Sequence, residues 1–181
     1  MTPRTLAQLE AATAHVRAAP REEGIVTFMV RRPDKGAREI LDEAQLDTRA
    51  GMIGDRWVNS TSKRTPDGQP HPEQMLTLMN VRAIDAIAER SYWPLAGDQF
   101  YVDFDLSKAS LPPGTTLAIG NALVVITPIP HTGCAKFTER FGSDATKWVN
   151  SDEGLELRLR GVNARVMRGG VVRVGDSLRR T

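Results

Sequence analysis

At 181 residues, 40% hydrophobic and 25% charged, the chain has the size of one globular domain with a continuous core and leaves little room for two. Its single cysteine rules out an internal disulfide and predicts a reducing, cytoplasmic setting. A net charge of +2 and 6% aromatic content argue against a nucleic-acid partner, which calls for clustered basic and stacking side chains. No stretch approaches the roughly 20 apolar residues of a membrane span, and residues 1–20 lack a signal-peptide core.

The first segment predicts a helix. Thr2 can cap it, Pro3 suits its first position, and Leu6, Leu9, Thr13 and Val16 recur at helical spacing up to Pro20. So narrow a stripe suits docking on the domain or on a second subunit. Residues 1–23 are therefore expected as a helical extension, with a homodimer among the outcomes, and residues 24–181 as the main domain.

From Gly24 the period changes. Residues 25–30 read as a buried strand and residues 38–46 as a second strand after the Pro33-Asp34-Lys35-Gly36 turn. Residues 51–72 have the composition of a long loop, a kind of segment that tends to carry function. Residues 75–79 read as a short strand, after which Asn80 caps a helix with Val81, Ile84, Ile87 and Ala88 on one face. Farther on, residues 115–119 and 122–127 flank Gly120-Asn121, and residues 162–167 and 171–174 flank Gly169-Gly170; both read as hairpins. Residues 138–150 predict a helical excursion between them. Short strands and tight turns point to a barrel or folded-over sheet, with no sequential parallel strand-helix-strand series.

Cys134 lies in the run Ile129-Pro130-His131-Thr132-Gly133-Cys134-Ala135-Lys136-Phe137, just beyond a β-branched strand. A thiol at the mouth of a strand can act as nucleophile or soft metal ligand, although a free cysteine is often a small buried hydrophobe. His131, three residues earlier, could lower the thiol pKa or relay a proton, or simply be solvated. Asp55 and Asp98 each follow a glycine and could close turns. Phe137, Phe141 and Trp148 are spaced for packing. A cysteine hydrolase would need a base and an oxyanion site that nothing in the sequence marks. The three histidines and one cysteine show no zinc-ligand spacing.

Several runs together carry a resemblance. They are the Ile119-Gly120-Asn121-Ala122 turn, the Val-rich strand leading to Cys134-Ala135-Lys136-Phe137, the run Gly161-Val162-Asn163-Ala164-Arg165-Val166, the closing Gly169-Gly170 and Gly175-Asp176, and the early Gly54-Asp55-Arg56-Trp57. In order and character they resemble the MOSC domain family, named after the C-terminal part of molybdenum cofactor sulfurase, over roughly residues 25–180. The chain departs from standalone members at Gly97-Asp98-Gln99-Phe100, where they often carry Gly-Glu-Asn, and at Pro130-His131, where many have an arginine.

The resemblance implies a mainly β, MOSC-like barrel with peripheral helices and a molybdenum cofactor (molybdopterin) site. In that site Cys134 would be the molybdenum ligand and His131 its catalytic neighbour. Asp55, Arg56, Asp98, Lys136, Arg140 and Arg165 lie in or beside the motif segments and become cofactor-binding candidates. One implied function is an oxidoreductase acting on N-hydroxylated small molecules. It would need a separate electron donor, because the chain has neither an iron-sulfur cysteine motif nor a dinucleotide fingerprint. The alternative is a non-catalytic carrier that delivers cofactor or sulfur to a recipient enzyme.

Overall fold

The structure, a computed structural model, describes residues 1–181. In chain order the strands are β1 (Glu23–Arg31), β2 (Glu39–Leu41), β3 (Glu43–Asp47), β4 (Gly51–Met52), β5 (Leu76–Asn80), β6 (Phe100–Asp103), β7 (Thr116–Ile119), β8 (Ala122–Ile126), β9 (Val162–Arg168), β10 (Gly170–Arg173) and β11 (Ser177–Arg180). The helices are α1 (Leu6–Arg17), α2 (Val81–Ile87), α3 (Ala135–Phe141), α4 (Ser143–Asn150) and α5 (Asp152–Leu157). Seven strands close a barrel in the order β1-β11-β7-β8-β9-β5-β6, with β6 returning to β1. β2 extends one edge, and β10, β3 and β4 form a small second sheet.

Neighbours in the barrel are antiparallel except β5 and β6. That parallel pair needs a crossover, which α2 and the 3-10 turn Arg90–Ala96 supply. The crossover reverses the chain at Gly97, just before β6, and so brings the run 97–99 to one end of the barrel. A single strand-helix-strand unit was not expected from the sequence. β6 itself is short and lay hidden in the Gly97-Asp98-Gln99-Phe100 run.

Two apolar layers share the barrel wall. Alternate residues of β8 and β9 (Val124, Ile126, Val162, Ala164, Val166) point inward with Leu78, Phe100, Val102 and Leu178, as period-two side chains must. Outside the wall, α1 to α5 and the crossover pack Leu9, Ile84, Trp93, Phe137, Phe141 and Trp148 against Phe28, Val30 and Tyr101. β1 is buried on both faces over residues 28–30. This double burial is why that strand reads as a continuous apolar run. Each large apolar side chain fully buried in this way contributes roughly 1.5–3 kcal/mol. No helix is long and apolar enough to cross a membrane.

The mainly β barrel with peripheral helices agrees with the sequence expectation, but several local readings need correction. α1 starts after Thr5, not Thr2, because Thr5 and Gln8 form a reciprocal capping box, which satisfies two orphan amides where an isolated cap satisfies one. The strand expected over 38–46 breaks at Asp42 into β2 and β3. The helical excursion is three short helices, α3 to α5. Gly169-Gly170 is not a hairpin: β10 pairs with β3, whereas β9 lies between β5 and β8. Neither glycine has the positive φ that tight hairpins use. Their small size instead lets the backbone pass close to Leu46 and Asn121. The Gly120-Asn121 hairpin between β7 and β8 is present.

Gly161 is a glycine at the site end that both its backbone angle and its close neighbours require. Its φ is +106°, and a Cβ there would overlap the Leu78 carbonyl oxygen of β5. Gly161→Ala is expected to lower the unfolding free energy by about 2–4 kcal/mol, through left-handed strain plus a backbone clash. Gly114→Ala, at φ +91° but with nothing near its Cβ, should cost only about 1–2 kcal/mol. Urea denaturation of the two variants checks the difference.

Candidate functional site

The 3-10 turn of the crossover ends in Pro94, Leu95, Ala96 and Gly97, a row of carbonyls with no helix to continue into. Pro94 O takes the Gly97 N–H, the others have no helical donor, and four arginines from three parts of the chain bond to the row. Arg38 Nε donates to Pro94 O at 3.0 Å, Arg140 Nη1 to Leu95 O at 2.7 Å, Arg160 Nη2 to Ala96 O at 2.9 Å, and Arg32 Nη1 to Gly97 O at 3.0 Å. The row therefore ties both ends of the β1–β2 loop, α3 and the segment before β9 to one turn.

Only two of these cations have carboxylate partners. Arg32 grips Asp55 through Nε and Nη2 at 2.9 and 3.0 Å. Asp55 also caps the turn Arg56–Asn59 by accepting from Trp57 N. Arg160 donates to Asp98 Oδ2 at 2.6 Å, and its guanidinium lies 4.9 Å from the Phe137 ring centroid. Arg38 and Arg140 have no acidic partner, and Arg56 makes no side-chain bond within the protein. Arg38 is held below its usual pKa first by burial and then by the charges of Arg140, Arg32 and Arg56. The five guanidiniums thus form one positive field, in which the two carboxylate pairs leave Arg38, Arg56 and Arg140 available to an anion.

Arg32, Arg56 and Trp57 line a cleft of about 230 Å³ together with His131 and Asn163. His131 Nε2 faces Asp98 Oδ1 at 2.9 Å, and one fifth of its side chain (19%) is exposed. Burial, then the charge of Arg160, lowers its pKa despite the opposing pull of Asp98. The ring is therefore neutral at pH 7 and donates Nε2–H to Asp98, which leaves Nδ1 without a protein partner. Burial pushes Asp98 upward, but Arg160 and His131 outweigh it and keep the carboxyl ionised.

Cys134 is exposed and is the N-cap of α3. The residue before it is clamped, since Gly133 N donates to Asn150 Oδ1 at 2.8 Å and Asn150 Nδ2 donates back to Gly133 O at 3.0 Å. Partial burial raises the thiol pKa, yet the backbone N–H groups of Phe137 and Lys136 and the charge of Arg160 bring it below the usual value. A thiolate held by a clamped loop can ligate a soft metal or attack an electrophile. His131 has its bonding nitrogen on Asp98 and is not among the groups that lower the Cys134 pKa.

The cofactor-binding candidates separate by position. Arg56 lines the cleft and Arg140 joins the carbonyl row. Asp55 and Asp98 are 2% and 0% exposed and have both oxygens engaged. Both carboxylates hold neighbouring groups of the protein in place: Asp55 orients Arg32 and the turn Arg56–Asn59, and Asp98 joins Arg160 to His131. Lys136 is exposed on α3, and Arg165 is exposed on the outer face of β9; neither lines the cleft. Arg32, Arg38, Asn150 and Arg160 were missed. The period of β9, apolar at Val162, Ala164 and Val166, already places Asn163 outside the barrel, where it donates to Ile129 O at 3.0 Å and braces the cysteine loop.

No family model matches the sequence, and no curated protein matches it. Solved structures do match by shape. YuaD from Bacillus subtilis superposes with a TM-score of 0.56 at 14% identity, covering 86% of this chain and 94% of that one. YiiM from Geobacillus stearothermophilus gives 0.59 at 15%, covering 87% and 75%, and YiiM from Escherichia coli gives 0.57 at 17%, covering 87% and 69%. YuaD and YiiM are MOSC-domain proteins, so the chain has a MOSC-type fold. At these identities the similarity is one of fold alone.

The triad of His131, Asp98 and Arg160 sets a pH dependence. A histidine whose folded pKa lies below its unfolded value near 6.5 takes up a proton on unfolding, so its contribution is complete above pH ~6.5 and is lost as pH falls below it. Asp98, also depressed, adds a second loss at lower pH, below the ordinary carboxylate pKa near 4. Unfolding free energy measured in urea should decline from pH 6.5 downward, with a His131 contribution of at most about 1.4 kcal/mol per pH unit. His131→Gln should flatten the upper part of that decline. Asp98→Ala, which leaves Arg160 buried without its partner, should lose about 3–5 kcal/mol at pH 7.

Proposed function

We propose that this protein binds a molybdenum cofactor between Cys134 and the arginine cleft and acts as an oxidoreductase on N-hydroxylated small molecules. The observation that carries the reading is the convergence, at one end of a MOSC-type barrel, of an exposed thiol with a lowered pKa and guanidiniums that have no acidic partner. Arg160 Nε, buried and without a hydrogen-bond partner, adds an orphaned donor to the same region. The residues fit the chemistry of such a group: a thiolate matches a metal already held by sulfur, and Arg38, Arg56 and Arg140 suit the phosphate of a pterin.

When bound, the cofactor supplies the two-electron oxygen-transfer chemistry. Cys134 would hold the metal, Arg38, Arg56 and Arg140 would orient the phosphate, and Asp55 and Asp98 would keep Arg32 and Arg160 in place. Neutral His131, with Nδ1 free at the cleft wall, would accept or return a proton. Reduction of an N-hydroxylated compound consumes two electrons and two protons and releases the amine and water. A separate donor protein is therefore part of the proposal. The exposure of Cys134 favours a second reading, a carrier from which another protein collects cofactor or sulfur.

The test is molybdenum and released-pterin stoichiometry on protein from a cofactor-producing host. The parent should approach one of each per chain, Cys134→Ser should lose most of the metal, and the double variant Arg38→Gln with Arg56→Gln should lose pterin at least tenfold. Equal loading of all three would reject the site. Reduction of a hydroxylamine by the loaded parent with an artificial electron donor separates enzyme from carrier.

A further inference from the structure

The wall formed by residues 127–132 has a second side. Behind it, between the cysteine loop, α5 and the start of β9, lies a cavity of about 310 Å³, at the small end of the 300–1,000 Å³ range of ligand pockets. His131 and Asn163 line both this cavity and the arginine cleft and form the partition between them. The inner walls are Pro128, Ile129, Pro130, Val149, Leu155 and Val162. Two cations, Lys108 and Arg158, line it as well, and no aspartate or glutamate does.

Arg158 is set up unusually. It is the one residue other than glycine with a positive φ, at +50°, where it ends α5 in the left-handed region. Such a conformation is costly for a side chain with a Cβ and persists where the surroundings enforce it. Nη1 donates to Leu111 O at 2.6 Å and to Leu106 O at 3.4 Å, which fixes the plane of the guanidinium. The opposite edge, Nε and Nη2, has no partner within the protein. Elsewhere in this chain that same edge takes a carboxylate: Arg32 holds Asp55 and Arg82 holds Asp103 through Nε and Nη2, each bond between 2.6 and 3.1 Å. Glu156 is close enough to act on the Arg158 charge, but its carboxylate bonds Lys108 Nζ at 2.7 Å instead.

We propose that this cavity is a binding site for a small monocarboxylate with an apolar body, its carboxylate held by the Nε/Nη2 edge of Arg158 with help from Lys108 and its ring or short chain packed on Ile129, Leu155 and Val162. The fork geometry selects a planar two-oxygen anion, and the apolar walls and small volume select a single ring or its equivalent. Because His131 and Asn163 belong to both sites, an occupant would press on the loop that carries Cys134.

The probe is 3-phenylpropionate, titrated into the full-length, cofactor-free protein and followed by methyl NMR, with 3-phenylpropylamine as the matched cation. Binding is expected to shift the methyls of Ile129, Val149, Leu155 and Val162. It should weaken about tenfold in Arg158→Asn, which loses the charge-assisted fork while tolerating the left-handed backbone, and by about threefold in Lys108→Met, which loses a half-exposed charge and releases Glu156 beside Arg158. Should Arg158→Asn fail to fold, Lys108→Met and the amine still decide the matter. The proposal is overturned by equal binding of the amine, by shifts located elsewhere, or by no shift at 10-millimolar-order probe (~10 mM, an affinity below about 3 kcal/mol). Since none of these readings depends on molybdenum, failure here is distinguishable from failure of cofactor loading.

Discussion

Four consecutive carbonyls, those of residues 94–97, each held by a different arginine, are the constraint on which the site depends. The β5–β6 crossover must stop abruptly to let β6 join the barrel in parallel, and stopping the turn leaves its last carbonyls short of helical donors. Satisfying them with guanidiniums concentrates positive charge at one end of the barrel. Asp55 and Asp98 then neutralise part of that charge from buried positions. What remains uncompensated, on Arg38, Arg56 and Arg140, is the part of the cluster that can recognise an anion. The same bonds that close the fold thus create the electrostatics of the cleft.

Asp98 links this row to the cysteine loop. Its two oxygens join Arg160, beneath Phe137 of α3, to His131, three residues before Cys134. Asn150 and Asn163 brace the same loop from α4 and from the outer face of β9. The thiol is therefore exposed at the end of a segment whose backbone is fixed at several points, an arrangement suited to a ligand or nucleophile that must be preorganised. Buried ion pairs of this kind stabilise weakly in sum but are costly to break singly. Their value here is positional, holding a short loop at a defined place on a rigid wall.

Much of the fold was legible. The apolar-rich runs that became β1, β5, β8 and β9 carry period-two or continuous apolar patterns, and Asn80 and the Gly120-Asn121 turn act through their own local chemistry. The misreadings came where local and long-range signals compete. Gly169-Gly170 is the composition of a turn, yet the glycines serve close passage of backbone beside Leu46 and Asn121. β6 has too few residues to show a period before the barrel supplies its partners. In the site, Cys134 stood out because it is unique and lies beyond a strand. The aspartates stood out as motif members, but their bonds to Arg32, Arg160 and His131 were not legible there, since a carboxylate's partners are set by its neighbours in space.

From its sequence alone this chain determined a mostly β domain, a capped α2, the β7–β8 hairpin and a lone thiol in a loop between strand and helix. These follow from chemistry within a few residues: backbone conformational preference, capping and side-chain period. Which arginines meet, which acids are used up, and which side of the residue 127–132 wall holds a cleft or a cavity were decided only by tertiary structure. Arg32, Arg38, Arg140 and Arg160 are separated by up to 128 residues, from 160 − 32. Only barrel closure brings them to one turn, and charge fields and buried hydrogen bonds depend on distance in space, which spacing along the chain does not encode.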